Sequence, residues 1–210
     1  MAEHVLDAWT AQEKLEAVIP FVPSVLTRDV DRAVSFAEGV GYPVVLKAVS
    51  DKIVHKTDAG AVVLGVSSQE DLIHHFYALQ KRFDAPILVQ KQISGVELFL
   101  GGKQDPQFGP VVLFGLGGIF VEVYKDVSAR VAPFSPEEAR SMFEDLKGRK
   151  ILEGARGFRV NTDELAKIIS EFSRFLAEHP EFKEVDVNPI FATRDGIFAV
   201  DARIVSRGGD

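Results

Sequence analysis

The sequence predicts an α+β protein of two lobes, divided near residues 90–95, with a cleft between them. Three observations lead there. Helical and strand periodicities alternate along the chain instead of falling into one block of each. Strands and helices occur on both sides of the division. The length of 210 residues suits one domain or two tight subdomains, with enough chain for a sizeable core.

In chain order, residues 3–18 read as a helix with Val5, Leu6, Trp9 and Leu15 apolar. Phe21–Leu26 reads as a short strand. Asp29–Val40 reads as a helix with Ala33, Phe36, Ala37 and Val40 on one face, stopped by Gly39 and Gly41. Pro43–Ser50 and Ala61–Val66 are strands either side of a polar loop. Ser68 opens a helix to about Phe83, with Asp71 placed as in a capping box. Pro86–Ile93, Val96–Gly101, Val111–Phe114 and Ile119–Val123 are expected strands. Ser135-Pro136-Glu137-Glu138 combines a cap residue, a proline in the first helical position and a glutamate at the third. Asn161–Glu164 starts a last helix to Glu178, with Leu165, Ile168, Phe172 and Leu176 inward.

The chain then ends in two alternating runs, Glu184–Ile190 and Ile197–Ile204, joined by Thr193-Arg194-Asp195-Gly196 as a hairpin. Side chains two apart share a face, so Asp186 and Asn188 point the same way. Asp201 on the return strand can lie close to both. Two carboxylates and an amide oxygen form a hard-oxygen set suited to Mg²⁺, which held this way also binds substrate phosphates. Three polar residues on a solvated sheet face would give the same pattern.

Composition narrows the function classes. The net charge of −7 argues against a nucleic-acid binder. No apolar run approaches a membrane span, and the start Met1-Ala-Glu-His-Val lacks the features of a signal peptide, so a soluble, cytoplasmic protein is expected. The absence of cysteine excludes disulfides, thiolate zinc sites and a cysteine nucleophile. Sixteen phenylalanines suggest a large core or a buried interface.

Several constellations fit the expected cleft. Lys47 interrupts an apolar strand and must reach water or an anion, because an unpaired buried ammonium is costly. The loop Asp51–Gly60 gathers His55, Lys52, Lys56 and Thr57 ahead of a glycine, a composition able to cradle phosphates and equally that of a surface hairpin. Gly115-Leu116-Gly117-Gly118 places three glycines in four residues between apolar strands, which permits close backbone approach to a ligand or a neighbouring strand. It is not a dinucleotide fingerprint. Glu97, Glu122, Asp126 and Arg130 lie on or beside these strands. Among the histidines, His74 and His75 are adjacent on a helix and ill placed to share a metal. His179 stands at a helix end, where it would cap carbonyls. His55 alone sits in a lysine- and glycine-bearing loop.

These segments together resemble a known family. Gly41–Lys47, His55–Gly60, Phe114–Glu122, Glu184–Pro189 and Val200–Arg203 occur in the order and spacing found in the β subunits of ADP-forming acetyl-CoA (acyl-CoA) synthetases. The resemblance runs from about residue 10 to residue 205, and five modest motifs in order are highly specific. One departure is Gly60-Ala61-Val62, where the family has Gly-Gly-Val; the extra methyl is expected to narrow the loop.

The resemblance implies an ATP-grasp fold, with an N-terminal subdomain over 1–92 that includes an N-terminal helix and a C-terminal subdomain over 93–210. It implies that Lys47 and Lys56 hold nucleotide phosphates, that Gln90 and Ile93 border the adenine, and that Glu97 lies near the ribose. Gly117 and Gly118 belong to the nucleotide site, Asn188 and Asp201 hold Mg²⁺ with Asp186 adjacent, and His55 carries the phosphoryl group. ATP or ADP is then a substrate. The partner is a CoA-binding α subunit, in an α2β2 heterotetramer. Two other readings fit: another ATP-grasp carboxylate–CoA ligase of the succinyl-CoA synthetase kind, or a non-catalytic nucleotide-binding regulatory subunit.

Overall fold

A computed structural model of the chain describes residues 3–50, 60–118, 125–155 and 157–207. These residues form two compact units. The smaller comprises Asp7–Thr10 and Phe21–Ile93; the larger comprises Met1–Leu6, Ala11–Pro20 and Ser94–Asp210. The N-terminal segment therefore falls mostly with the C-terminal unit, unlike a simple division after residue 92.

The smaller unit is a four-stranded antiparallel sheet in the order β2-β5-β3-β4. Its strands are β2 (Ser24–Thr27), β3 (Val44–Ala48), β4 (Val62–Val66) and β5 (Ile87–Lys91). Helices α2 (Val30–Val40) and α3 (Gln69–Phe83) pack on one face. Period-two alternation sends Val44, Leu46, Ala48, Ile87 and Val89 toward the helices, where they meet Ala33, Ala37, Leu72 and Phe76 in one core. Both helix starts follow sequence chemistry. The Asp29 carboxylate accepts the Asp31 N–H at 2.9 Å, and the Ser68 hydroxyl accepts that of Asp71 at 3.2 Å. The Asp71 carboxylate accepts from the Ser67 hydroxyl at 3.1 Å, so the box closes one residue early.

The larger unit holds a seven-stranded antiparallel sheet in the order β1-β11-β9-β6-β7-β8, with β10 paired to β9. Its strands are β1 (Glu3–Val5), β6 (Val96–Asp105), β7 (Gly109–Leu116), β8 (Val127–Val131), β9 (Phe182–Thr193), β10 (Gly196–Ala199) and β11 (Ala202–Arg207). Helices α4 (Pro136–Asp145) and α5 (Thr162–Glu178) pack together, and α5 lies on β6 and β7. Gly102 permits that approach: a Cβ there would stand 2.7 Å from Leu176 Cδ2 and 3.2 Å from Phe172 Cε1. Leu165, Ile168, Phe172 and Leu176 are all buried, as the spacing predicts.

Three expectations need correction. Residues 3–18 are not one helix: Glu3–Val5 is a strand paired with Arg207–Val205, and α1 (Ala8–Leu15) begins only after Asp7. Asp7 caps it, its carboxylate accepting the Trp9 and Thr10 N–H groups at 2.9 and 3.1 Å. The return run 197–204 is two strands, broken at Val200-Asp201. The ring of His179 does not cap carbonyls; its Nδ1 lies 2.8 Å from Glu181 Oε1, between contacts with Phe175 and Phe182. The expected strand Ile119–Val123 lies outside the described residues. No helix among them is long and apolar enough to cross a membrane.

Candidate functional site

In the larger unit, the chain chemistry of β9 and β11 brings the acidic set together. Val185 and Val187 are buried beneath the sheet, so Asp186 and Asn188 face the other way. The break between β10 and β11 places Asp201 opposite Asn188: the Asn188 N–H donates to the Asp201 carbonyl at 3.2 Å. Pro189 contributes by having no N–H, while its carbonyl accepts from Val200 at 3.0 Å. The Asp201 carboxylate accepts the Ala202 N–H at 3.0 Å. Arg203 is the register partner of Asp186.

The electrostatics of Asp186 are unusual. Its Oδ1 is buried and makes no hydrogen bond. Burial raises its pKa to about 6; Arg203 opposes the rise, and the Asp201 and Glu184 carboxylates add to it. Two clustered carboxylates, one with an orphaned oxygen, and an exposed amide side chain suit a divalent cation with oxygen preference. Among the described residues no three His, Asp or Glu side chains are placed to hold a metal ion by themselves, so a site here would need the Asn188 amide oxygen as well.

Beside it on the same sheet, β6 carries Glu97, and β7 leads into Gly117-Gly118. The Gly117 N–H donates to the Glu97 carbonyl at 2.8 Å. A Cβ on Gly117 would lie 2.6 Å from Glu97 Cγ, so only glycine fits. Gly118 has φ +60°, and a Cβ there would stand 3.2 Å from Glu97 Oε2. The glycines bring backbone against a carboxylate that stays on the sheet surface.

In the smaller unit, Lys47 and Gln90 lie on the sheet face turned away from α2 and α3. Lys47 pairs with Leu88, and Gln90 pairs with Val45, in the register of β3 and β5. Both polar side chains are almost wholly enclosed, Lys47 at 5% exposed and Gln90 at 1%. Neither Gln90 Oε1 nor Nε2 has a hydrogen-bond partner. A buried carboxamide without partners is a cost that a polar ligand would remove. Ile93 ends this unit, two residues past β5. The side chain of Gln92 is already committed: its Oε1 accepts the Gly65 N–H at 2.7 Å.

His55, Lys56 and Glu122 lie outside the described residues. Ala61 does not. Its methyl is fully buried within the core of the smaller unit, so the departure from Gly-Gly-Val adds to the core. Sequence reading missed the Lys147–Gly148 turn, whose N–H groups bond the Asp126 carboxylate. Gly148 within the charged run 147–150 was the available signal.

Residues 1–205 match the ATP-grasp domain family. The β subunit of acetate–CoA ligase (ADP-forming) I from Pyrococcus furiosus is 43% identical over 197 residues, covering 89% of this chain and 85% of that protein. Among solved structures, acetyl-coenzyme A synthetase 1 of Candidatus Korarchaeum cryptofilum, in complex with coenzyme A and Ca-AMPCP, matches with a TM-score of 0.89 at 38% identity. The match covers 97% of this chain and 94% of that one. A second structure of that protein contains coenzyme A and Mg-AMPPCP, with its phosphohistidine segment pointing toward the nucleotide binding site. It matches at TM-score 0.84 and 38% identity, over 95% and 92% of the two chains. The chain is an ATP-grasp protein and belongs to the family of β subunits of ADP-forming acetate–CoA ligases.

Proposed function

We propose that the chain is the nucleotide-binding β subunit of an ADP-forming acyl-CoA synthetase, an acid–thiol ligase of the cytoplasm. The reaction is acyl-CoA + ADP + phosphate ⇌ carboxylic acid + CoA + ATP. The observation that carries the reading is the set made by Asp186 and Asn188 on β9 and Asp201 in the break before β11, with the Asp186 oxygen left without a partner.

In this reading Asn188 and Asp201 hold Mg²⁺, and Asp186 stands beside them. The cation would neutralise nucleotide phosphate charge. Lys47 and Lys56 hold phosphate oxygens. Gln90 and Ile93 border the adenine, where the unpaired Gln90 carboxamide offers one acceptor and a donor. Glu97 faces the ribose, and Gly117 and Gly118 let backbone approach the ligand. On the α subunit a phosphate oxygen displaces CoA from the acyl carbonyl to give an acyl phosphate. Its phosphoryl group passes to a nitrogen of His55 as the carboxylic acid leaves, and a terminal ADP oxygen then displaces that nitrogen to yield ATP. Imidazole suits both steps, as a good nucleophile near neutral pH and a good leaving group from phosphorus. CoA and the acyl group are handled by a separate α subunit, with which the chain forms an α2β2 heterotetramer.

Nucleotide affinity tests this. Mg·ATP should raise the melting temperature by mass action. Absence of any shift at millimolar nucleotide would overturn the reading.

A further inference from the structure

Asp126 is a charged side chain enclosed within the larger unit, 4% exposed, in a place the proposed reaction does not use. Each carboxylate oxygen accepts one backbone N–H: Oδ1 that of Lys147 and Oδ2 that of Gly148, both at 2.8 Å. Charge-assisted bonds of this kind hold a turn more firmly than neutral ones. The turn they hold precedes the 3₁₀ segment Arg149–Ile151 and lies against the end of β7. A Cβ on Gly148 would stand 2.4 Å from Leu116 Cδ1 and 3.2 Å from Asp126 Oδ2. Gly148 has φ −85°, open to any residue, so space and not backbone conformation requires glycine. The backbone of Asp126 closes on the same strand, its carbonyl oxygen 2.5 Å from where a Gly115 Cβ would lie.

Leu116 leads directly into Gly117, tied to the Glu97 carbonyl, and Gly118. The segment is therefore fixed from two sides, by Glu97 on β6 and by the turn that Asp126 clamps beneath Leu116. We propose that Asp126 is a positioning residue for nucleotide binding, acting through the Lys147–Gly148 turn and Leu116 on the backbone of Gly117 and Gly118. The proposal rests on the assignment of those glycines to the nucleotide site. Supporting residues of this sort matter because a site misplaced by a fraction of an ångström loses affinity without losing its fold.

The test is calorimetric titration of the full chain with Mg·ADP. Asp126→Asn is nearly the same size but sets an NH2 group against a backbone N–H. Gly148→Ala pushes on Leu116 with a single methyl. Each should weaken Mg·ADP binding by about tenfold or more, and the double variant by less than the product, because both act on one contact. Ser170→Ala is the control for lost stability alone. That hydroxyl donates to the Phe134 carbonyl at 2.7 Å in the packing of α5, and its loss should lower the melting temperature with affinity unchanged. If Asp126→Asn does not fold, Gly148→Ala carries the test. Variants that bind Mg·ADP as tightly as the Ser170→Ala control overturn the proposal and leave the nucleotide site standing. A wild-type chain that does not bind Mg·ADP at millimolar concentration overturns both.

Discussion

A carboxylate oxygen enclosed without a partner, as on Asp186, destabilises a folded chain unless a proton or a cation meets it. In the metal-free chain a proton does so below about pH 6, since the pKa of about 6 lies above the ordinary value of 3.8. The folded state then binds that proton more tightly than the unfolded state. Its contribution to stability is fully present below the ordinary value and is lost as pH rises through about 6. Asp186→Asn should therefore stabilise the metal-free chain at pH 7 by about 1–2 kcal/mol, after discounting the shift for partial solvent access. The gain should vanish near pH 4, and urea midpoints at the two pH values check it. Mg²⁺ acts on the same residues in the opposite sense. Asp201→Ala should lose most of the magnesium-dependent part of the melting-temperature rise with ATP. An undiminished rise in that variant would remove Asp201 from the metal set.

The elements differ in how openly the sequence declared them. Helix α5 was clear because its apolar positions repeat at helical spacing and Asn161 caps it, its side-chain oxygen accepting the Glu164 N–H at 3.2 Å. Phe172 is fully buried at the centre of that stripe. Phe172→Ala should lower stability by about 3–5 kcal/mol, seen as a fall in urea midpoint with unchanged slope. β1 was hidden, since Glu3-His4-Val5 has no strand pattern of its own and is a strand only because β11 offers an edge. β8 was missed although Val127-Ser-Ala-Arg-Val131 alternates apolar and polar residues. Its polar side chains are the ones drawn inward, with Arg130 reaching Glu138 and Asp145 at 2.8 Å, while Val131 is exposed. The hairpin was legible from its Asp-Gly pair, although the register closes the turn at Arg194-Asp195 and leaves Gly196 as the first residue of the return strand. The break at Val200-Asp201 was not, because Asn188-Pro189 sets it from the opposite strand. That break is what places Asp201 opposite Asn188, so the candidate metal set was readable as residues but not as geometry. Lys47 stood out as a charge in an apolar strand. The isolation of the Gln90 carboxamide emerges only from the sheet register.

At the scale of the molecule, the proposed role makes this chain one half of an enzyme. It should bind nucleotide alone, form a stable complex with its CoA-binding partner on size-exclusion chromatography, and show no turnover of acyl-CoA without it. The most direct test of the account is phosphate transfer through His55 in that complex. With labelled phosphate and acyl-CoA, the β chain should acquire an acid-labile, base-stable label and surrender it to ADP as ATP. His55→Ala should abolish both the label on this chain and overall activity, while Mg·ADP binding stays close to wild type. A His55→Ala complex with near wild-type turnover would contradict the account.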